Sequence, residues 1–508
     1  MNMESNNTNS TIESKSQDSK YNIDLKKDSS LDSKENIESK ATINLSTDSI
    51  FKLFLNYFLP MLFAMLAMAS YSTVDGIFVS IKLGDDAMKA IVATWPIFPT
   101  LMAFALMFAL GGASLISYYL AKGKKELACR IFSSICYLLF PFSLVLGILC
   151  YFNADSLVEL LVKNLSSEVK AMAIEYLKGV CVGLFGIIMH PILDICVVND
   201  KRPRFAMFAM FLGAACNVIL NYLFLFVFEF GIVGSAWATI LGHIIGSLVL
   251  VIHYIPSEIR VKIATFFGTR LCNFLESKST LLTKKGDLCF TRTFSWRLIF
   301  RSAKLGIPYA SSEASVGFVM WLYNATLKGI GGESALAIYS AILYAGFNYF
   351  TILLALAESI QPIASFNYGM RNFTRLRAIL RFYIVAELLI SIALYGIFFI
   401  FSEYIAAAFL KDMSLKTQSA AAMSVYFFGF IFLGINLIIA LYLQSLQRAL
   451  ASFIVTMSYT LIFIVILLPL MARLLGFDGA IMAYPISQIL ALVTSVAVLY
   501  RVSNNYKV

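Results

Sequence analysis

The residues of this sequence best placed to do chemistry are the few polar ones stranded in long apolar stretches. Asp75 interrupts the run Thr73-Val74-Asp75-Gly76-Ile77-Phe78. An ionisable side chain at such a place costs about 2.5–3.5 kcal/mol on insertion scales, which makes it a functional candidate by default. Asn221 and Thr239 lie, like Asp75, about seven residues from the same end of their predicted helices, roughly 10 Å below one surface. Asn217 is one turn deeper on the face that carries Asn221. Four oxygen-bearing side chains from three helices then meet at one level. That is the chemistry of a hard-cation site, or of a buried carboxylate that carries a proton.

Lys178 falls at the same depth on a fourth helix, and it has two readings. Its ammonium pairs with Asp75 when no coupling ion is bound, or it extends towards the nearer surface. A second set of charges, Glu313, Glu358 and Glu387, lies nearer the opposite ends of its helices. With Asp194, Asn324 and the aromatic faces of Trp321 and Tyr339, these acids are candidates to attract a lipophilic cation. The alternative is that they bond neighbouring helices. His190, His243 and His253 show no metal spacing and are read as packing residues, with a proton relay as the alternative. The eight cysteines include no C-x-x-C pair and are read as small apolar residues. No phosphate loop, H-E-x-x-H or G-x-S-x-G motif occurs, so no ATPase or hydrolase is expected, nor any metal or other cofactor.

The elements that position these groups must span lipid. Of 508 residues, 59% are hydrophobic and only 14% charged, with a mean hydropathy of +0.79. A soluble domain carries about 25% charged residues, so a soluble enzyme or nucleic-acid-binding protein is excluded. Continuous apolar runs without period-two alternation exclude a β-barrel. Twelve spans are expected, near 52–82, 89–120, 131–152, 171–198, 204–228, 232–254, 304–328, 334–364, 379–402, 420–446, 449–470 and 477–500. The net charge of +10 is concentrated in alternate loops, among them Lys122, Lys124, Lys125, Arg130, Lys201, Arg202, Arg204, Arg371, Arg375, Arg377, Arg381 and Arg448. The other side carries Lys82, Lys163, Lys411 and Arg473. By the positive-inside rule both termini are cytoplasmic. Residues 1–47, rich in Ser, Asn, Lys and acids, read as a disordered cytoplasmic tail and not as a signal peptide.

The sequence is also duplicated. Pro60 to Gly84 recurs as Pro308 to Gly332, Ala121-Lys122-Gly123-Lys124 matches Asn367-Tyr368-Gly369-Met370, and Gly231 to Ala238 matches Gly476 to Ala483. Two parallel six-helix repeats follow: lobes at 48–254 and 304–508, joined by a cytoplasmic linker at 255–303. Its Lys284-Lys285-Gly286-Asp287 run reads as a solvated connector. The repeat carries Asn217, Asn221 and Thr239 onto Ile462, Ile466 and Tyr484, and Asp75 onto the Tyr323-Asn324 pair. The polar cluster belongs to the first lobe alone.

These features resemble the multidrug and toxin extrusion (MATE) family. The residues that carry the resemblance are Pro60, Val74-Asp75-Gly76-Ile77-Phe78, Leu83-Gly84, Asn217 to Asn221 and Gly231 to Thr239. In the second half they are Gly331-Gly332, Gln361-Pro362-Ile363 and Asn367-Tyr368-Gly369. The resemblance implies an all-α fold of two six-helix lobes around a V-shaped cleft. It also implies export of cationic compounds in antiport with H⁺ or Na⁺, and adds Gln361 to the substrate-binding candidates. The family's first-lobe ion site, an Asp on helix 1, an Asn and an Asp on helix 5 and a Thr on helix 6, falls on Asp75, Asn217, Asn221 and Thr239. Asn221 replaces the second carboxylate, so H⁺ is expected over Na⁺. The alternative is a lipid-linked oligosaccharide flippase of the same superfamily. The expected setting is the cytoplasmic (inner) membrane, as a monomer in contact with lipid and cationic small molecules, without nucleic acid.

Overall fold

In a computed structural model the chain is described over residues 43–94, 97–161, 166–255, 286–409 and 413–506. Residues 1–48 form a unit of their own, of which 43–48 make a turn closed by Asp48 N to Asn44 O at 3.0 Å. The expected disorder of the tail before residue 43 lies outside the described residues, as do Lys163, Lys284, Lys285 and Lys411.

The second unit is built of twelve spanning helices in two lobes. Lipid offers no partner for backbone N–H and C=O groups, and a helix satisfies them internally. The first lobe holds α1 (Ile50–Leu83), α2 (Asp85–Thr94 with Ile97–Ala121), α3 (Lys125–Phe152), α4 (Ser167–Val182 with Leu184–Asn199), α5 (Pro203–Tyr222) and α6 (Gly231–Ile252). A π-helical turn, Leu223–Val227, extends α5, and α4 bends by 54° at its break. In the second lobe α7 (296–331) and α8 (333–369) are separated by Gly332 at φ 59°. There follow α9 (Phe373–Ile400), α10 (Met413–Ser445), α11 (449–475) and α12 (477–506), the last two divided by Gly476 at φ 62°. The apolar stretch Ala449–Asn504 has 56 residues. At 1.5 Å per residue it is about 84 Å long, enough for two crossings. The span expected near 304–328 lies within α7, which carries Arg297, Arg301, Lys304, Glu313 and Lys328 along it.

The repeat is visible in the backbone. Positive φ occurs at Gly84, Gly123, Lys201 and Gly231, and again at Gly332, Arg371, Gln447 and Gly476. The helix ends carry matching bonds: Lys124 N to Tyr119 O is repeated by Asn372 N to Asn367 O, and Arg202 N to Val197 O by Arg448 N to Leu443 O. These are Schellman closures, each with its left-handed residue just past the helix. They correct the register read from the sequence: Gly123 corresponds to Arg371, two residues beyond the expected partner Gly369. The Gly-to-Gly match misled because the second copy places an arginine at the left-handed position.

The linker is also corrected. Residues 256–285 lie outside the described residues. Residues 286–295 form an extended strap along the start of α3, and α7 begins at Trp296 instead of 304. Thr291 N bonds Ser133 Oγ at 2.8 Å, Ser295 N bonds Ser134 Oγ at 3.1 Å, and Arg130 donates to Phe294 O at 3.2 Å. A hydropathy window misses the first two turns of α7 because they are basic, although the helix continues into water.

The lobes meet on the side of the basic loops 122–124, 200–202, 370–372 and 446–448, called the basic face below. There α2 crosses α7 with glycine against backbone: a Cβ on Gly111 would lie 1.9 Å from Ser302 O, and one on Gly306 1.7 Å from Met107 O. Ser114 Oγ is 3.3 Å from Ser365 Oγ, and Arg301 donates to Tyr119 and to Gln447, each at 2.7 Å. Phe54 packs edge-on against Phe382 and Tyr383 at 5.4 and 5.5 Å.

Candidate functional site

The first lobe gathers the predicted cluster at the end remote from the basic face. Asp75 Oδ1 accepts from Asn221 Nδ2 at 2.5 Å and from Ser235 Oγ at 2.7 Å. Asn217 Nδ2 donates to Thr239 Oγ1 at 3.3 Å. Asn217, Asn221 and Ser235 are buried, and the side-chain oxygens of both asparagines have no partner. Close packing of α5 on α6 makes this meeting geometrically accessible, since a Cβ on Gly242 would lie 2.9 Å from Asn217 Cβ. The π-helical turn begins two residues after Asn221, and such turns are frequent at functional sites because they re-aim the side chains beside them.

Lys178 is not part of this cluster. Its ammonium pairs with Asp155 at 3.0 Å, on the short helix Ala154–Leu161. Depth placed it level with Asp75. Its direction round α4 instead turns it towards the aqueous edge, where a half-exposed ion pair is less costly than a buried one.

Ser235 was not singled out from sequence, although it lies four residues before Thr239 on one face of α6. The histidines also exceed their packing role. His190 and His243 approach at 3.0 Å between Nδ1 atoms. The two rings border a small cavity shared with Asn217 and Thr239. His253 belongs to a different, buried network at the basic face. Its Nε2 lies 2.6 Å from Asp200 Oδ2 and its Nδ1 3.0 Å from Arg202, while Asp200 also accepts from the backbone of Asp287 and Leu288 at 2.9 and 3.0 Å.

The substrate candidates divide. Tyr309, on α7, donates to Glu358 Oε1 at 3.4 Å. Glu313 and Tyr309 line a small cavity within the second lobe, together with Gln444 and Tyr459. Asp194 Oδ1 is buried without a partner. Glu387 stands apart, fully buried, accepting from Ser391 and packed on Gly434. Gln361 is buried, and its backbone oxygen accepts from Ser445 at 3.3 Å. Trp321 is 61% exposed and Asn324 is exposed, neither against an acid group among the described contacts.

Tyr339 is corrected: it is 2% exposed and stacks on Tyr323 at 4.7 Å, with Tyr426 stacked on Tyr484 at 4.1 Å beside them. Its face is spent on the core and is closed to a ligand. Tyr323 and Tyr484 occupy the positions that the repeat assigns to Asp75 and Thr239. Stacked rings therefore fill in the second lobe the place that polar side chains fill in the first.

A family model described as MatE matches residues 60–223 and 308–470, once in each half. The chain is 23% identical over 461 residues to the multidrug export protein MepA of Staphylococcus saprophyticus, covering 89% of this chain and 94% of that protein. It is 21% identical over 456 residues to MepA of Staphylococcus aureus, with the same coverage of 89% and 94%. Among solved structures it is similar to a MATE in complex with MaL6, with a TM-score of 0.80 and 21% identity over 91% of this chain and 99% of that one. A multidrug resistance MATE transporter of the MOP superfamily in an outward-facing conformation gives 0.79 and 21% over 92% and 99%. A MOP superfamily transporter from Pyrococcus furiosus, whose reversed pocket polarity suggests a different function for it, gives 0.79 and 21% over 90% and 97%.

Proposed function

We propose, for a chain that belongs to the MatE family of membrane transporters and so is not an enzyme, that it is a secondary-active multidrug exporter moving lipophilic cations outward in exchange for H⁺. The observation that carries this reading is the Asp75 cluster: one carboxylate, on α1, fixed by donors from α5 and α6, with stacked tyrosines at the repeat-related positions of the second lobe. A purely structural membrane protein would have no use for such a group. The relatives named as multidrug export proteins support the substrate class.

Two donors converge on a single oxygen of Asp75. Asp75 is the cluster's single carboxylate, because Asn221 stands where a second acid would help to cage a hard metal cation, whereas a proton needs only Asp75. This supports H⁺ over Na⁺. On the substrate side stand acids: Glu358 accepts from Tyr309, and Glu313 lines the same cavity as that tyrosine. Pyrophosphate-linked lipids require cationic partners, so the flippase reading loses ground. The basic face is cytoplasmic by the positive-inside rule, in a cytoplasmic membrane. With the lobes joined at that face, the arrangement corresponds to a state closed to the cytoplasm. H⁺ taken up at Asp75 from outside displaces substrate, and the loaded lobes then part at the basic face. Coupling requires that H⁺ and substrate bind the two states with different affinity.

The test is efflux of a lipophilic dye cation from proteoliposomes under an imposed pH or Na⁺ gradient, with wild type and Asp75→Asn. A pH gradient should drive efflux, a Na⁺ gradient should not, and Asp75→Asn should abolish the driven component. Driven efflux that survives Asp75→Asn intact removes Asp75 from the mechanism.

A further inference from the structure

We propose that Cys129 and Cys289 form a reversible redox-modification site whose oxidant is a low-molecular-weight disulfide, and whose oxidised form pins the strap to α3. Their sulfur atoms are 2.7 Å apart, within about 0.7 Å of a covalent S–S bond of about 2.05 Å. The pair joins residues 160 positions apart. One partner is buried in the first turns of α3 and the other is exposed on the strap.

The surroundings hold the two thiols in register. Cys289 N donates to Cys129 Sγ at 3.1 Å, and Cys129 Sγ lies 3.6 Å from Asp287 O. On one side the Asp200 carboxylate grips the backbone of Asp287 and Leu288. On the other, Thr291 is fixed by Ser133, and Phe290 packs on Phe132 with ring centres 4.8 Å apart. Lys125 and Lys201 reach Asp287 at 3.3 and 3.8 Å. Seven cysteines fall among the described residues, and this pair alone among them combines a sulfur–sulfur contact with an exposed member.

The chemistry balances without a metal or an electron carrier. The exposed Cys289 loses its proton to water and attacks one sulfur of the small disulfide, forming a mixed disulfide and releasing one small thiolate. Cys129 then loses its proton and attacks the Cys289 sulfur, forming the Cys129–Cys289 bond and releasing the second thiolate, and both thiolates take up the protons lost. Two protein thiols are oxidised and one small disulfide is reduced to two thiols. Excess small thiol reverses the sequence. A face bathed by a reducing compartment keeps the pair as thiols, so the bond forms only when that compartment becomes oxidising.

The mechanical consequence follows from the position of the strap. It runs directly into α7, whose Arg301 contacts Tyr119 and Gln447 where the lobes meet. In the reduced state hydrogen bonds, ion pairs and ring packing hold it. In the oxidised state residue 289 cannot leave α3, and residues 290–295 are the only slack before α7.

The experiment uses the purified full-length chain in detergent, treated with oxidised glutathione and then with dithiothreitol. Peptide mapping under non-reducing conditions should recover a Cys129–Cys289 linked peptide that dithiothreitol removes. Backbone hydrogen exchange over 287–295 should slow by about tenfold or more on oxidation, recover on reduction, and not respond to oxidant in Cys289→Ser. Three results overturn the proposal: a mixed disulfide that stops at Cys289, a bond from Cys289 to another cysteine such as Cys272, or a mapped Cys129–Cys289 bond that leaves exchange over 287–295 unchanged. None of these readouts depends on what the protein transports.

Discussion

At Asp75, two donors on one carboxylate oxygen stabilise the charged form, and hydrogen bonds to a charged group contribute about 1.5–3 kcal/mol each. Removing one makes the carboxylate accept a proton more readily. Ser235→Ala is therefore expected to move the half-maximal point of proton-driven efflux, measured as dye efflux at stepped external pH. Lys178→Ala should leave the same profile unchanged, because its ammonium is committed to Asp155. A shifted profile would restore the pairing with Asp75. His243→Ala strands a buried nitrogen of His190 and should cost about 1–3 kcal/mol, read as a lower thermal midpoint in detergent. Asp75, Asn217, Asn221 and Thr239 were legible in the sequence because polar atoms deep in an apolar run need a reason to be there. Ser235 was not, since a serine can satisfy itself on its own helix and leaves no mark on hydropathy. Nor could depth alone give the direction of Lys178 round α4, or the meeting of His190 and His243 from separate helices.

The helices themselves were legible from apolar length, and their breaks from glycine spacing. The ends were less so. α3 and α9 each begin six residues before the apolar run that announced them, at Lys125 and Phe373, because a helix continues past the slab it crosses. The repeat was visible as residue identities, but its register at the end of α2 depends on backbone conformation. Gly123 has φ 70°, and a Cβ built on it would meet nothing within 4 Å. Gly123→Ala therefore isolates the conformational cost, about 1–2 kcal/mol for a left-handed L-residue. It should lower the thermal midpoint by ~2 °C or more. Arg371→Gly at the matching position, φ 57°, relieves that strain but adds unfolded-state freedom. Its midpoint should stay within about a degree of wild type. A large drop for Arg371→Gly would mean that the arginine side chain, and not the turn, is what this loop requires.

For the whole molecule, the deciding contact is the glycine crossing of α2 on α7 at the basic face. The sequence showed two lobes but could not show where they touch, since Gly111 and Gly306 read there as two small residues among many. In the structure neither tolerates a Cβ: Gly306 would drive one to 1.7 Å from the backbone of Met107. An alanine there must push the helices apart, and overpacking of this kind costs about 1–3 kcal/mol. If the lobes part at this face during transport, only the joined state bears that cost. Gly306→Ala should then raise the population of the parted state by a factor of about 5–150. Ser365 is the reporter, because it is fully buried with Oγ 3.3 Å from Ser114 across the junction. In membrane vesicles a Ser365→Cys thiol should react slowly with a soluble maleimide and severalfold or more faster when Gly306→Ala is added, with peptide mapping to separate it from the native cysteines. Labelling that stays slow while the thermal midpoint falls would show that the crossing is kept in both states, and that the lobes part elsewhere.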